Sequence, residues 1–477
     1  MIAYYALFLL SIHWIAADDT VTWVLTEENG KSKMEVQSPL EFTDSRNDAA
    51  EDHIKVDASY TYQSILGIGS SLESSSCFNL MRLSQEDRQE VLTKLFDSEI
   101  GIGLNLMRLT IGTSDFCPQP YYSYDDLPPG EEDVTLEYFS TIADEEFIIP
   151  VVQQALEITR GFEGNGNHSK ELLFFASPWS GPNFLKNHDS LIGGQLKKDV
   201  TSMEAYAKYL VKFVETYRDK YNVTISALTV QNEPMANQSY PSTLLPPEQE
   251  AELIGSYLGP ILPKGVEIWA FDHNWVDLAY PRTVLGNEKA MKYIQGTAFH
   301  GYVGTPEQMT TLKEEFPEKE IYFTEGSFFK MIGATKIIDI FRNWSKTYIA
   351  WVTMLDSNLQ PNSGPFSAQP PMLTLVLDDE GISVKEIAYN LEYYIYGHFS
   401  KYVLRNALRI SSETEITFKG ISSSRLDHVA FVHDEDVTLI LVNTDGKKAV
   451  SADIEYEGKF VSLKLPPLSI ATLCWSR

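Results

Sequence analysis

Eight short runs rich in β-branched and aromatic residues recur between residues 64 and 380, and stretches of helical apolar spacing separate them. The runs are Ile65–Ser70, Leu104–Ile111, Leu172–Ser177, Ile225–Gln231, Val266–Phe271, Thr297–Gly301, Ile321–Glu325 and Tyr348–Leu355. Strands joined by helix-length crossovers pair in parallel, so this alternation excludes a helical bundle and points to an α/β architecture. Eight repeats in ~300 residues match the size of a closed (β/α)8 TIM barrel. A doubly wound open sheet needs a similar alternation and is the alternative.

The helix starts carry their own signals. Ser84 can cap a helix with Val91, Leu92, Leu95 and Phe96 at helical spacing, and Ser202 precedes one with Tyr206, Tyr209, Leu210, Phe213 and Val214 on one face. After residue 400 the pattern changes to strand-like runs at Leu408–Ile410, Glu415–Phe418, Val429–Val432, Val437–Val442, Asp453–Tyr456 and Ser462–Leu465. Turn chemistry at His433–Asp436 and Asp445-Gly446 makes these an antiparallel sandwich. Residues 20–60 alternate in the same way, so both chain ends are expected to build one β-domain. The expected division is a leader over 1–17, sandwich over 18–62 and 396–477, and catalytic barrel over 63–395.

The leader expectation rests on the apolar run at residues 2–15, which ends in Ala16-Ala17 before Asp18-Asp19. It implies the secretory pathway, with a lysosomal or secreted destination. The sequons at Asn167, Asn222, Asn237 and Asn343 are compatible with that route but recur by chance in a chain this long. Cys77, Cys117 and Cys474 allow at most one disulfide. A net charge of −28 disfavours nucleic acid as a partner and, at neutral pH, an anionic lipid surface. No H-E-x-x-H, paired-cysteine, EF-hand or P-loop spacing occurs, so neither a metal nor an organic cofactor is expected.

Barrel strands deliver side chains to the active-site mouth at their C-terminal ends. Two carboxylates stand there: Glu233, closing Leu228–Pro234, and Glu325, closing Ile321–Gly326. Strands four and seven lie on roughly opposite sides of a barrel, so the two acids can face each other across its mouth. Opposed carboxylates flanking a sugar are the minimal machinery of glycoside hydrolysis. Asn232 is placed to donate to a sugar hydroxyl beside the scissile bond.

These residues resemble the retaining β-glycosidases built on (β/α)8 barrels. Further segments narrow the resemblance to glycoside hydrolase family thirty, the lysosomal glucocerebrosidase (glucosylceramidase) group. They are Gly67-Ile68-Gly69, Asn105–Arg108 running to Ser114-Asp115-Phe116, Tyr122–Asp126, Ala176–Trp179, Leu228–Pro234, Gly397–Lys401 and Leu465–Thr472. The resemblance implies a catalytic barrel plus a sandwich from both chain ends. It makes Glu233 the acid/base and Glu325 the nucleophile, with the pKa of Glu233 above that of Glu325. It places Arg108 near the nucleophile, Asp115 on glucose hydroxyls, Trp179 against the sugar ring, Tyr302 beside the nucleophile and Trp351 in the pocket wall. Hydrogen bonding in support of the site is expected at Asp272-His273-Asn274. The family's G-F-G-G-A opening is here Gly67–Ser71 with Glu73 beyond, an Asn that commonly follows the pocket tryptophan is missing after Trp351, and Arg405-Asn406-Ala407 replaces a Pro-Gly-Ala.

The expected activity is hydrolysis of glucosylceramide to glucose and ceramide by double displacement. A β-xylosidase or β-1,6-glucanase of the same family is the near alternative, and a non-catalytic glycan- or lipid-binding barrel is the other class. The expected partner is a glycosphingolipid or β-glucoside, and an activator protein is compatible with the lipid reading. Between Leu109 and Thr159 there are eleven acids and no Lys or Arg. As surface groups they would begin to protonate near pH ~4.5, easing pH-dependent peripheral contact with an anionic membrane.

Overall fold

A computed structural model describes residues 19–163, 171–415 and 425–477. The leader expected over 1–17, the sequon at Asn167 and most of the strand expected at Glu415–Phe418 lie outside the described residues.

Eight parallel strands close a barrel: Gly67–Ser70, Leu106–Ile111, Leu173–Pro178, Ile225–Thr229, Glu267–Asn274, Ile294–His300, Glu320–Glu325 and Thr347–Ala350. Strands two to seven form one continuous sheet, and strands eight and one pair separately with Thr347 opposite Gly67. Single bridges seal the seams, Ser71 with Arg108 on one side and Gly326 with Ala350 on the other. Leu106, Phe175, Ala227, Trp269, Ala298, Tyr322 and Ile349 fill the barrel interior. These apolar side chains make the barrel a packed core and push the polar chemistry to the C-terminal ends of the strands.

Helix Gln85–Phe96 begins as expected, Ser84 Oγ accepting from the Asp87 amide at 3.1 Å. Helix Val200–Tyr221 starts before Ser202, because Asp199 is the cap and accepts from the Ser202 amide at 3.0 Å. The eighth run does not continue to Leu355. The barrel strand stops at Ala350, and Met354–Asp356 pairs instead with Leu373–Leu377 in a small separate sheet. The turn between them puts Trp351 at the mouth. Glu73 proves to be the buried cap of helix Ser74–Met81, its Oε1 accepting from the Ser76 amide at 2.9 Å and its Oε2 from Ser71 Oγ at 2.6 Å.

The second domain draws strands from both chain ends. Thr20–Glu27 pairs with the last strand, Ser469–Ser476, and Asp52–Ser64 pairs with both Leu408–Thr414 and Val450–Tyr456. The turn at His433–Asp436 joins two antiparallel strands as expected. Asp445-Gly446 does not form a hairpin. The chain crosses there from Asp436–Asn443, which pairs with Ser469–Ser476, to Val450–Tyr456 on the far part of the sheet. All three cysteines are free thiols. Among the described residues no helix is long and apolar enough to cross a membrane.

The acidic stretch after strand two is not a uniformly solvated face. Asp115, Asp125, Asp133 and Asp144 are buried within it. Asp144 accepts hydrogen bonds from the hydroxyls of Tyr122, Tyr124 and Tyr217, so tyrosines in place of cations hold this carboxyl.

Candidate active site

The barrel mouth opens into a cavity of about 600 Å³. Asp115, Trp179, Asn232, Glu233, Tyr302, Glu325 and Trp351 all line it. Arg108, the eighth residue singled out in the sequence, lies completely buried beneath them. Its Nη1 donates to Glu325 Oε2, its Nη2 to Asn232 Oδ1 at 2.9 Å and its Nε to Ser177 Oγ at 3.1 Å. Tyr302 Oη donates to the other Glu325 oxygen at 2.8 Å. Glu325 is thus an oriented carboxylate with a fixed cation at its back. Holding Asn232 Oδ1 on Arg108 also fixes which way that amide faces.

The backbone around Glu233 is strained in a way few side chains adopt. Glu233 has φ 46°, and Phe271 and Asp272 have φ 79° and 56°. Left-handed conformations at non-glycine residues cost free energy and persist where surrounding structure over-determines them. Here the Glu233 amide donates to the Asp272 carbonyl at 3.0 Å and the Asn232 amide to the Pro178 carbonyl at 2.8 Å. Strands three, four and five are therefore tied together at their ends. Strand five also slips register against strand six between Phe271 and His273, a bulge that re-aims Asp272 inward.

Asp272 does more than supply the supporting hydrogen bonds expected of the Asp272-His273-Asn274 segment. Completely buried, it accepts from Arg108 Nη2 at 2.8 Å, Thr229 Oγ1 at 2.7 Å, Ser177 Oγ at 3.0 Å and Thr324 Oγ1 at 2.6 Å. Its Oδ1 lies 3.1 Å from His300 Nε2. The signal was present, since Asp272 closes an apolar strand just as Glu325 does. His300 offered none of its own: only the fold shows that Nδ1 lies 3.4 Å from Glu233 Oε1 and 3.8 Å from Glu325 Oε1. His273 Nδ1 approaches Glu233 Oε1 at 3.3 Å. Ligand-type atoms of Glu233, His273 and His300 thus converge within 4.8 Å.

Burial and charge divide the site. Burial, followed by the charge of Glu325, pushes the Asp115 carboxyl up to about 8. Burial alone would lower His300, but the charges of Glu325 and Asp272 raise it to about 9. Burial would raise Asp272, yet Arg108 and His300 hold it far below the usual carboxylate range. Burial likewise acts to raise Glu233, and the hydrogen bonds of His273 and His300 outweigh it and hold that carboxyl low. The resemblance implies a Glu233 that releases its proton after Glu325; the neighbouring rings favour the ionised form of Glu233 while they carry protons.

Trp179 and Trp351 stack on each other, 5.1 Å between ring centroids and 20° between planes, and Arg108 lies 4.7 Å from the Trp179 ring. Phe116 packs edge-on against Trp351 at 5.7 Å. An apolar wall facing convergent carboxylates suits a sugar, whose ring faces are apolar and whose edges carry hydroxyls. Phe116 and Tyr240 line the cavity too and were not predicted as site residues.

Comparison with known proteins agrees with the fold. The description "Glycosyl hydrolase family 30 TIM-barrel domain" matches residues 65–403, and "Glycosyl hydrolase family 30 beta sandwich domain" matches residues 406–473. An endo-1,6-β-D-glucanase of Aspergillus fumigatus is 26% identical over 438 residues, covering 86% of this chain and 84% of the relative. A Caenorhabditis elegans protein provisionally named glucosylceramidase 3 is 26% identical over 467 residues, 91% of this chain and 84% of the relative. The solved structure of an endo-β1,6-glucanase superimposes with a TM-score of 0.82 at 24% identity, covering 96% of this chain and 99% of that one.

Proposed function

The chain belongs to glycoside hydrolase family 30, and on that premise we propose that it hydrolyses β-1,6-linked glucan by a retaining mechanism. The relatives do not single out the glucocerebrosidase group, since a fungal endo-1,6-β-glucanase matches over most of the chain. That shifts the substrate reading from glucosylceramide to the glucan, previously the alternative.

The observation that carries the retaining chemistry is the placement of both carboxylates within 3.8 Å of one ring nitrogen of His300. That holds the two oxygens no more than about 7.2 Å apart, which admits the ~5–5.5 Å of a retaining pair and leaves only the lower end of the ~6.5–9.5 Å of an inverting one. In the first step Glu325 attacks the anomeric carbon while the C–O bond breaks with its electron pair going to oxygen. Glu233 supplies the proton to that oxygen. In the second step water attacks the glycosyl ester, returns a proton to Glu233 and frees Glu325. Arg108 and Tyr302 hold Glu325 aimed. Trp179, Trp351, Asp115 and Asn232 hold the sugar.

A second reading, glucosylceramide, is favoured by the nematode relative and by the exposed apolar residues Val303 and Phe366 beside the cavity. The secretory leader belongs to the same proposal. Release of reducing ends from β-1,6-glucan, compared with glucose release from glucosylceramide and from aryl β-xylosides, decides among them. Preferred cleavage of the glucan is expected; cleavage of glucosylceramide with the glucan untouched overturns the reading.

A further inference from the structure

The charges around the reacting centre balance only with one more proton. Arg108 is a fixed cation. His300 presents Nε2 to Asp272 and Nδ1 to Glu233 and Glu325, and a ring with carboxylates at both nitrogens is an imidazolium. These two cations face three carboxylates, Asp272, Glu325 and Glu233. Asp115 is neutral when burial holds its proton, and Tyr240 and Tyr302 are neutral phenols, so none of them alters the count.

The ring at hand to share the missing proton is His273, its Nδ1 3.3 Å from Glu233 Oε1. Its orientation is readable from Asn274. The Asn274 Oδ1 accepts from the amides of Tyr302 at 2.9 Å and Val303 at 3.1 Å, so its Nδ2 is the group that faces His273 Nδ1 at 3.5 Å. Facing an amide donor, Nδ1 is set up as an acceptor. A protonated Glu233 then has a partner for its O–H.

Building on the glycosidase reading, we propose that Glu233 and His273 share a single proton, which makes the pair the general acid and His273 the positioning residue for Glu233. The proton leaves Glu233 for the glycosidic oxygen as that bond breaks, and water restores it in the second step. Two coupled sites hold one proton to higher pH than either holds it alone. Sharing also reconciles a carboxyl that its neighbours favour as an anion with a reaction that needs it as an acid.

The test is the pH dependence of kcat/KM for wild type, His273→Asn and His273→Gln, on aryl β-glucosides that span leaving-group acidity. In both variants the basic limb is expected to move toward acid by about one pH unit. The loss is expected to be about 100-fold on the poorest leaving group and to vanish on dinitrophenyl glucoside, which needs no proton. Equal losses across the series with an unmoved basic limb would overturn the proposal. NMR titration of the wild-type imidazoles gives a readout independent of the variants' folding. His273 and Glu233 must titrate as a pair, and a His273 that titrates independently of Glu233→Gln overturns the shared proton. Wild type inactive on every β-glucoside overturns the glycosidase reading instead, and the NMR titration still decides the proton.

Discussion

Arg108 Nη2 lies 2.8 Å from Asp272 Oδ2, and neither side chain reaches solvent. The pair is the hub on which the site is hung, because Arg108 also holds Glu325 and Asn232 while Asp272 also holds His300. Removing one partner of a buried pair leaves the other charge uncompensated.

Asp272→Asn is therefore expected to lower stability by about 3–5 kcal/mol and to damage activity with it. Denaturant unfolding and kcat/KM should fall together. A fully active variant of unchanged midpoint would contradict the hub role.

The two glutamates should differ in how they fail. Glu325→Gln is expected to abolish turnover on every substrate. Glu233→Ala should keep forming the glycosyl ester from activated aryl glucosides and then stall, losing about 10²–10⁴ in overall rate on unactivated ones. Azide should rescue Glu233→Ala by giving the β-glycosyl azide, a product that NMR of the anomeric proton identifies.

Stability should peak on the acid side. Burial raises nine carboxyls, five of them by a wide margin: Asp115 to about 8, Glu73, Asp125 and Glu250 to about 7, and Asp144 to about 6. Each keeps a proton in the folded chain that the unfolded chain releases above pH ~4, so the folded state loses ground as pH rises toward 8. Burial lowers His398 and His428 to about 3, so these two act in the opposite sense as pH falls below ~6.5. Lys186, lowered to about 7 by burial, also opposes the carboxyls, while His300, raised to about 9, acts with them. The carboxyls and His300 outnumber the three opposing groups, and the Tm by calorimetry should be higher at pH 5 than at pH 8.

His398 ties the barrel to both ends of the chain. Its Nε2 lies 2.8 Å from Thr26 Oγ1 and its Nδ1 2.8 Å from Thr472 Oγ1. His398→Ala should cost about 2–4 kcal/mol through lost hydrogen bonds and a cavity. KM should be unchanged, since the residue lies outside the active-site cavity. A large KM effect would show that the interface reaches the site.

The sequence by itself determined the parts of this protein that repeat. Alternating strand and helix periods required a parallel α/β fold and their number pointed to a barrel, alternation at both ends pointed to the second β-domain, and carboxylates closing apolar strands marked Glu233 and Glu325. Those signals are local, because burial of one face imposes a period on the residues that form it. What only the tertiary structure decided is where charges meet. Arg108, the adjacent pair Asp272-His273, and His300 come from three barrel strands, and no spacing along the chain relates one strand's residues to another's. The turn after Ala350, the crossing at Asp445-Gly446 and the low-lying carboxyl of Glu233 were missed for the same reason. Each depends on a partner distant in sequence, and an electrostatic environment is a property of what is near in space.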